Sequence, residues 1–423
     1  MTDRRQLIRQ IGAVSSIGAL AQAAFLAGNI LLGRHLDDGD FGRTDLANKI
    51  VNLAGYLGLF GLNTALIRAV PRDRLAAIDW PSLAPRLSAV AALVAAVAAG
   101  LATWLYHFTP IQAALIGAAA LALSLSVAAS AILAIDHRFA ASQSVQQLGR
   151  PLLFVGIVLL LLGGALRVTP VLGLYAAAGL AQVAVAWRLL AGVGRGREPV
   201  AMAPLVRQGA LFFGLFLTSS LMLRLDAFFL AGLVSVEALG RYAAASNIAL
   251  TGYGILAAGV AQVVMPRIAG GEGLKLRQLL VLLTLAAVGA GVLLVLFGTP
   301  IIHWIYRGNF PGDFRVLLAA LCLAGVIQVA YVIPSAWLGA VAPEPLLRLF
   351  LGINVLSLGL NVVLNLVLIP RFGLEGAALA TALSWAWRWA WAVGLVRWIL
   401  NVRARRPDGT DGPAAIIPGG EPT

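Results

Sequence analysis

Pro170-Val-Leu-Gly-Leu-Tyr-Ala-Ala, running on to Ala186-Trp187-Arg188, is echoed 200 residues later by Pro370-Arg-Phe-Gly-Leu-Glu-Gly-Ala, running on to Ala386-Trp387-Arg388. At that offset Pro170 and Pro370, Gly173 and Gly373, Leu174 and Leu374, Ala177 and Ala377, and Arg188 and Arg388 coincide. A second echo pairs Phe41-Gly42-Arg43, leading to Ile50, with Leu239-Gly240-Arg241, leading to Ile248, at an offset of 198. Two echoes at nearly one offset argue for a duplicated unit. Duplication in a membrane protein marks a transporter working at the seam between two halves.

The composition supplies the membrane. Of 423 residues, 60% are hydrophobic and 12% charged, more apolar surface than a soluble domain can hide, so lipid is the solvent. Twelve apolar stretches follow, at 11–33, 46–68, 87–107, 111–135, 149–166, 170–191, 209–234, 239–265, 278–298, 316–340, 346–369 and 373–391. Most match the roughly 20 residues a helix needs to cross a hydrocarbon core of about 30 Å. No alternating pattern of barrel type appears. The expected fold is an all-α polytopic membrane protein of about twelve transmembrane helices, in two six-helix lobes related by a parallel repeat.

Positive charge orients the chain. With the N-terminus inside, 21 of the 31 Lys and Arg fall on the inner side, 7 on the outer, and three within spans. This bias predicts that both termini are cytoplasmic in a multi-pass protein of the bacterial inner membrane. The net charge of +13 is then an orientation signal and a contact for anionic membrane lipids, not a nucleic-acid surface, since the arginines are scattered over short loops. An even number of spans per half returns the chain to the same side, which makes the repeat parallel. The predicted organisation is a lobe over 1–192, a cytoplasmic linker over 193–207, a second lobe over 208–402 and a disordered tail over 403–423. The first helix is too long for a signal-peptide core and is expected to be retained. The lone Cys322 reads as a small core residue.

Hydrolytic and metal chemistry find no constellation. His35, His107, His137 and His303 fall at or near predicted helix ends without ligand-spaced partners. Asp37, Asp38 and Asp40 read as a solvated acidic loop. Polar residues inside spans say more, because they are costly in hydrocarbon and must face protein or water. Asp45, Asn48, Lys49, Asn52, Tyr56 and Asn63 lie on one stripe of the second helix. Asn354, Ser357, Asn361 and Asn365 repeat the pattern in the eleventh. Gln22 and Asn29 mark the first, and Ser246, Asn247, Tyr253 and Gln262 the eighth. Such residues either bond helices together or line a wet cavity. The charge on Lys49 favours a cavity for the second helix; for the eleventh the two readings stand level.

Arg224 is the deepest charge, about 22 and 15 Å from the ends of its span. Asp226, two residues on, points elsewhere and is a candidate for structural fastening or coupling. Arg388, among Trp385, Trp387, Trp389 and Trp391, reads as an interfacial anchor in an aromatic belt.

Three motif groups carry a resemblance. They are Leu32-Gly33-Arg34, Phe41-Gly42 and Gly61-Leu62-Asn63-Thr64-Ala65-Leu66-Ile67-Arg68; Leu225-Asp226, Leu239-Gly240-Arg241-Tyr242-Ala243 and Met265-Pro266; and Ile369-Pro370-Arg371-Phe372-Gly373-Leu374-Glu375-Gly376. In order and spacing the chain resembles the polysaccharide-transport branch of the multidrug/oligosaccharidyl-lipid/polysaccharide exporter superfamily, over most of residues 10–400. The resemblance implies a flippase of undecaprenyl-diphosphate-linked oligosaccharides, such as O-antigen units, working by alternating access. It implies a cavity whose cations hold the diphosphate, a role carried to Arg224 and Lys49; the in-span polar residues Asp45, Asn48, Asn52 and Asn247 are the candidates for its further lining. It implies no cofactor and no catalytic residue, with H+ or Na+ as a possible coupling ion. A polysaccharide polymerase and glycosyltransferases are the implied partners.

Two other readings stay open. A cation-coupled drug or metabolite exporter of the same superfamily would show a cavity dominated by carboxylates. A membrane glycosyltransferase, ligase or polymerase of the same pathway would show large outer loops or acidic pairs.

Overall fold

The computed structural model describes residues 4–61, 80–190, 202–269, 276–341 and 344–404. Asn63, most of the linker over 193–207, the tail beyond 404 and the Gln262 side chain lie outside the described residues. Among the described residues every regular element is a helix: α1 (Arg4–His35), α2 (Asp38–Leu57), α3 (Trp80–Tyr106), α4 (Pro110–Ile135), α5 (Phe139–Gln147), α6 (Gly149–Leu162), α7 (Val168–Leu190), α8 (Met202–Met222), α9 (Leu225–Leu233), α10 (Val236–Ala269), α11 (Leu276–Ile305), α12 (Arg315–Val341) and α13 (Glu344–Ala404). The pairs α5/α6 and α8/α9 each make one traverse. α13 makes two, because Gly373 adopts φ 57°, ψ −125°, a conformation open to glycine, and folds the helix at the predicted boundary. The chain is therefore an all-α polytopic membrane protein with twelve traverses among the described residues. α2 is the least lipid-like, with five charged side chains in 20 residues.

Helix starts follow local chemistry. Thr109 and Gln112 form a reciprocal capping box ahead of α4, with Pro110 in the first turn. Asp37 caps α2 by accepting the Asp40 N–H at 2.7 Å. α4 is the central helix of its unit, packing against α2, α3, α5 and α7. Its alanines let backbones approach, and Ser124 donates to the Gly55 carbonyl of α2 at 2.7 Å.

Two compact units emerge. One comprises Met1–Ala244 with His303–Pro311, the other Ala245–Ile302 with Gly312–Thr423. The division falls inside α10, whereas the lobes expected from the repeat meet at 193–207. In the second unit α12 packs along α13.

The fifth traverse differs from the sequence expectation. It runs Phe139–Leu162, not 149–166. Its first half carries the polar residues Ser142, Gln146 and Gln147, and hydrogen bonds of Ser142 and Gln146 are met within the bundle. Ser142 donates to the Ser130 carbonyl at 2.8 Å, Gln146 to the Ser130 hydroxyl at 2.8 Å, and Gln182 to the Val145 carbonyl at 3.0 Å. Arg150 consequently sits mid-span, about 16 and 18 Å along the helix from its ends.

Candidate functional site

Of the two deep arginines of the first unit, Arg224 stands at a helix break and Arg150 lies within the continuous span Phe139–Leu162. α8 and α9 bend by 48°. Arg224 occupies the junction with φ −133°, ψ −14°. Its guanidinium donates to the Ser220 carbonyl at 2.9 Å, one of the acceptors left open at the end of α8. Arg150 follows the α5/α6 junction, donates to the Gln22 side-chain oxygen at 2.7 Å, and lies 5.7 Å over the Phe25 ring. Discontinuous helices expose backbone and side-chain groups for ligands at membrane depth.

α2 connects these points. Lys49 and Asp45 form an ion pair one turn apart, with side-chain exposures of 15% and 3%. Asn52 donates to both the backbone and side-chain oxygens of Asn48 at 2.8 Å. Tyr56 lies within electrostatic reach of both Arg150 and Arg224, and its ring centroid is 5.2 Å from that of Phe216. Asp226 is buried and accepts from the Ala227 N–H at 2.7 Å and from the Tyr242 hydroxyl, tying α9 to α10. Asp45 and Lys49 lie within its electrostatic reach. The structure thus brings Arg224, Lys49, Asp45, Asn48, Asn52 and Asp226 into one unit around α2. Asn247 belongs to the second unit, where its buried Nδ2 has no hydrogen-bond partner among the described residues.

A cavity of about 100 Å³ opens beside α2, lined by Asn48, Asn52, Tyr56, Gln147, Arg150 and Tyr175 among others. Arg150 was missed from sequence because the helix holding it was started too late. The signal available was the Gln22 spacing on α1, which supplies its partner.

At one end of α2 the two copies of the second repeated motif meet. A Cβ on Gly42 would lie 2.1 Å from the Val236 carbonyl oxygen, and one on Gly240 would lie 2.0 Å from that of Asp38. Arg241 pairs with Asp38 at 2.9 Å beside this crossing.

One sequence reading changes in the second unit, and one that stood level is decided. Arg388 is no interfacial anchor: it is 3% exposed, with its guanidinium 4.6 Å from the Tyr331 ring centroid and 5.2 Å from that of Trp385. Tyr331 of α12 and the inward turn of α13 cover it, a match no local pattern announces. The polar stripe of the eleventh traverse is a packed seam. Asn354, Ser357, Asn361 and Asn365 are all buried, and Asn361 donates to the Ser384 hydroxyl at 3.0 Å.

The family described as polysaccharide biosynthesis protein matches residues 7–271. No curated protein sequence matches. Among solved structures, the lipid II flippase MurJ in an inward closed conformation aligns with a TM-score of 0.72 at 14% identity, covering 95% of this chain and 94% of its own. An outward-facing multidrug resistance MATE family transporter of the MOP superfamily aligns at 0.65 and 14% identity, covering 94% and 96%. A MOP superfamily transporter from Pyrococcus furiosus, described as having a binding pocket of reverse polarity, aligns at 0.63 and 14%, covering 92% and 95%. At such identities these matches show the shared fold.

Proposed function

We propose that this chain, which belongs to the polysaccharide biosynthesis protein family, is a flippase that moves an undecaprenyl-diphosphate-linked oligosaccharide across the bacterial inner membrane by alternating access. The observation that carries the reading is the half-buried guanidinium of Arg224 at a helix break. A diphosphate crossing low dielectric needs a compensating cation, and a guanidinium can grip it bidentately. The Lys49–Asp45 pair gives Lys49 a resting partner that a phosphate would have to displace. The lipid tail can stay in the bilayer throughout. Surface polysaccharide such as O-antigen is the proposed product line, with a polymerase and glycosyltransferases as neighbours in the pathway. H+ or Na+ is the proposed coupling ion.

A cation-coupled exporter is the second reading, favoured by Asp226, a buried carboxylate hydrogen-bonded to Tyr242. Flipping and drug efflux assays on one preparation separate the two.

In proteoliposomes, Arg224→Ala is expected to lower flipping of a polyprenyl-diphosphate oligosaccharide about ten- to a hundred-fold, for a lost charge-assisted bond of about 1.5–3 kcal/mol. Arg224→Lys is expected to recover part, keeping the charge but not the fork. Wild-type flipping by a folded Arg224→Ala variant overturns the assignment. For the topology, cysteines placed singly at Arg197 and Asp313 in a Cys322→Ser background are expected to label from opposite sides of the membrane. Labelling from one side means the number of spans between the two positions differs from the proposed three by an odd number.

A further inference from the structure

Helices of its own unit close off α2 at both ends, and the two closures differ in kind. At the Gly42 end the contact is backbone on backbone. Beside it Phe41, Tyr306 and Phe310 form a buried aromatic cluster with ring centroids 5.0–6.2 Å apart. That end opens only if whole helices separate.

The other end is shut by side chains. The Phe60 ring, in the turn that follows α2, stacks on Phe213 of α8 with centroids 4.7 Å apart and planes 27° apart. One turn back, Tyr56 meets Phe216 at 5.2 Å. Phe60 is 45% exposed and Phe216 39%, so this closure is a thin layer of rings with open space on one side. Rings of this kind part by side-chain rotation.

The backbone beneath the rings is strained. Phe60 and Gly61 both adopt a left-handed φ, 47° and 68°. Glycine does so freely, whereas a phenylalanine does so where its surroundings hold it, and such residues cluster at segments that switch. Gly61 is pressed to α8: an added Cβ would stand 2.5 Å from the Gly209 carbonyl oxygen. Asp45, Asn48, Lys49 and Asn52 lie on α2 between the two closures. A polar headgroup moving along α2 to these residues must pass one closure or the other. The charge bias puts the Phe60 end on the inner side.

We infer, on the transport reading above, that the Phe60–Phe213 stack, backed by Tyr56–Phe216, is the inner gate to the α2 site, and that it opens as the left-handed turn at Phe60–Gly61 relaxes.

Access rather than transport reads the gate. The full chain carries Asn52→Cys in the Cys322→Ser background. A membrane-impermeant thiol reagent is applied to inside-out vesicles, which present the inner face, and to spheroplasts, which present the outer. Adding Phe60→Ala is expected to speed labelling in the vesicles about two- to ten-fold, the population shift for one lost aromatic pair, and to leave the spheroplast rate unchanged. Phe60→Tyr, which keeps the stack, is expected to label at the parent rate. An unchanged rate in Phe60→Ala overturns the gate. So does an equal rise from both faces, which marks general loosening. A rise in spheroplasts alone overturns the inner assignment. Should Phe60→Ala fail to fold, Phe213→Ala removes the same pair from α8 and is judged by the same outcomes. A parallel flipping assay on the wild type keeps the two readings apart. Labelling controlled by Phe60 in a protein that flips no polyprenyl-diphosphate oligosaccharide supports the gate and overturns the substrate.

Discussion

Gly240→Val is expected to abolish both the folded yield and transport, whereas Gly232→Ala, where an added Cβ meets nothing within 4 Å, is expected to be silent. The clash at Gly240 is with the Asp38 carbonyl oxygen, 2.0 Å from the added carbon, and backbone cannot swing aside as a side chain can. α2 and α10 would have to separate. Overpacking of this kind costs about 3 kcal/mol or more. The contact is reciprocal, since Gly42 meets Val236 as Gly240 meets Asp38, and the 198-residue offset carries Gly42 to Gly240 and Asp38 to Val236. Arg241→Ala beside it is expected to cost under about 1 kcal/mol, since that pair is partly solvated. Size-exclusion profiles and flipping assays of the three variants check this. A monodisperse, active Gly240→Val protein contradicts the crossing.

Arg388→Ala is expected to be the most destabilising alanine replacement in the second unit. It removes a large buried side chain packed against the Tyr331 and Trp385 rings, leaving a cavity and losing a desolvated cation–π contact, together about 2–5 kcal/mol. Arg388→Met is expected to recover much of the loss, because it refills the volume without a charge to desolvate. Arg188→Ala, at the equivalent position of the repeat, is expected to be mild because Arg188 is exposed. Thermal melts of purified protein read all three. An Arg388→Ala variant melting with the wild type contradicts the burial.

Much of the architecture was legible because lipid leaves the backbone few choices. A chain with no water to bond must satisfy its N–H and C=O groups within helices, so apolar length alone located nearly every traverse. Pro170, Pro370 and Gly373 marked where traverses begin because their effects on φ are local. The stripe from Asp45 to Tyr56 was legible from helical periodicity, which places its residues on one face regardless of what covers them.

What covers them was decided by tertiary structure. Ser142, Gln146 and Gln147 count as polar in any window; only α4 and α7 turn that segment into a helix, and with it move Arg150 from a helix end to mid-span. Arg224 looked like a charge inside a straight helix, and the break that gives it the Ser220 carbonyl shows only in the fold. Arg188 and Arg388 hold the same place in the repeat, yet one is exposed and the other enclosed by Tyr331. Spacing along a helix is set by bonds four residues apart. The partner across a helix pair comes from residues tens to hundreds of positions away, and it is that partner which decides whether a charge is paired, caged or left open to a ligand.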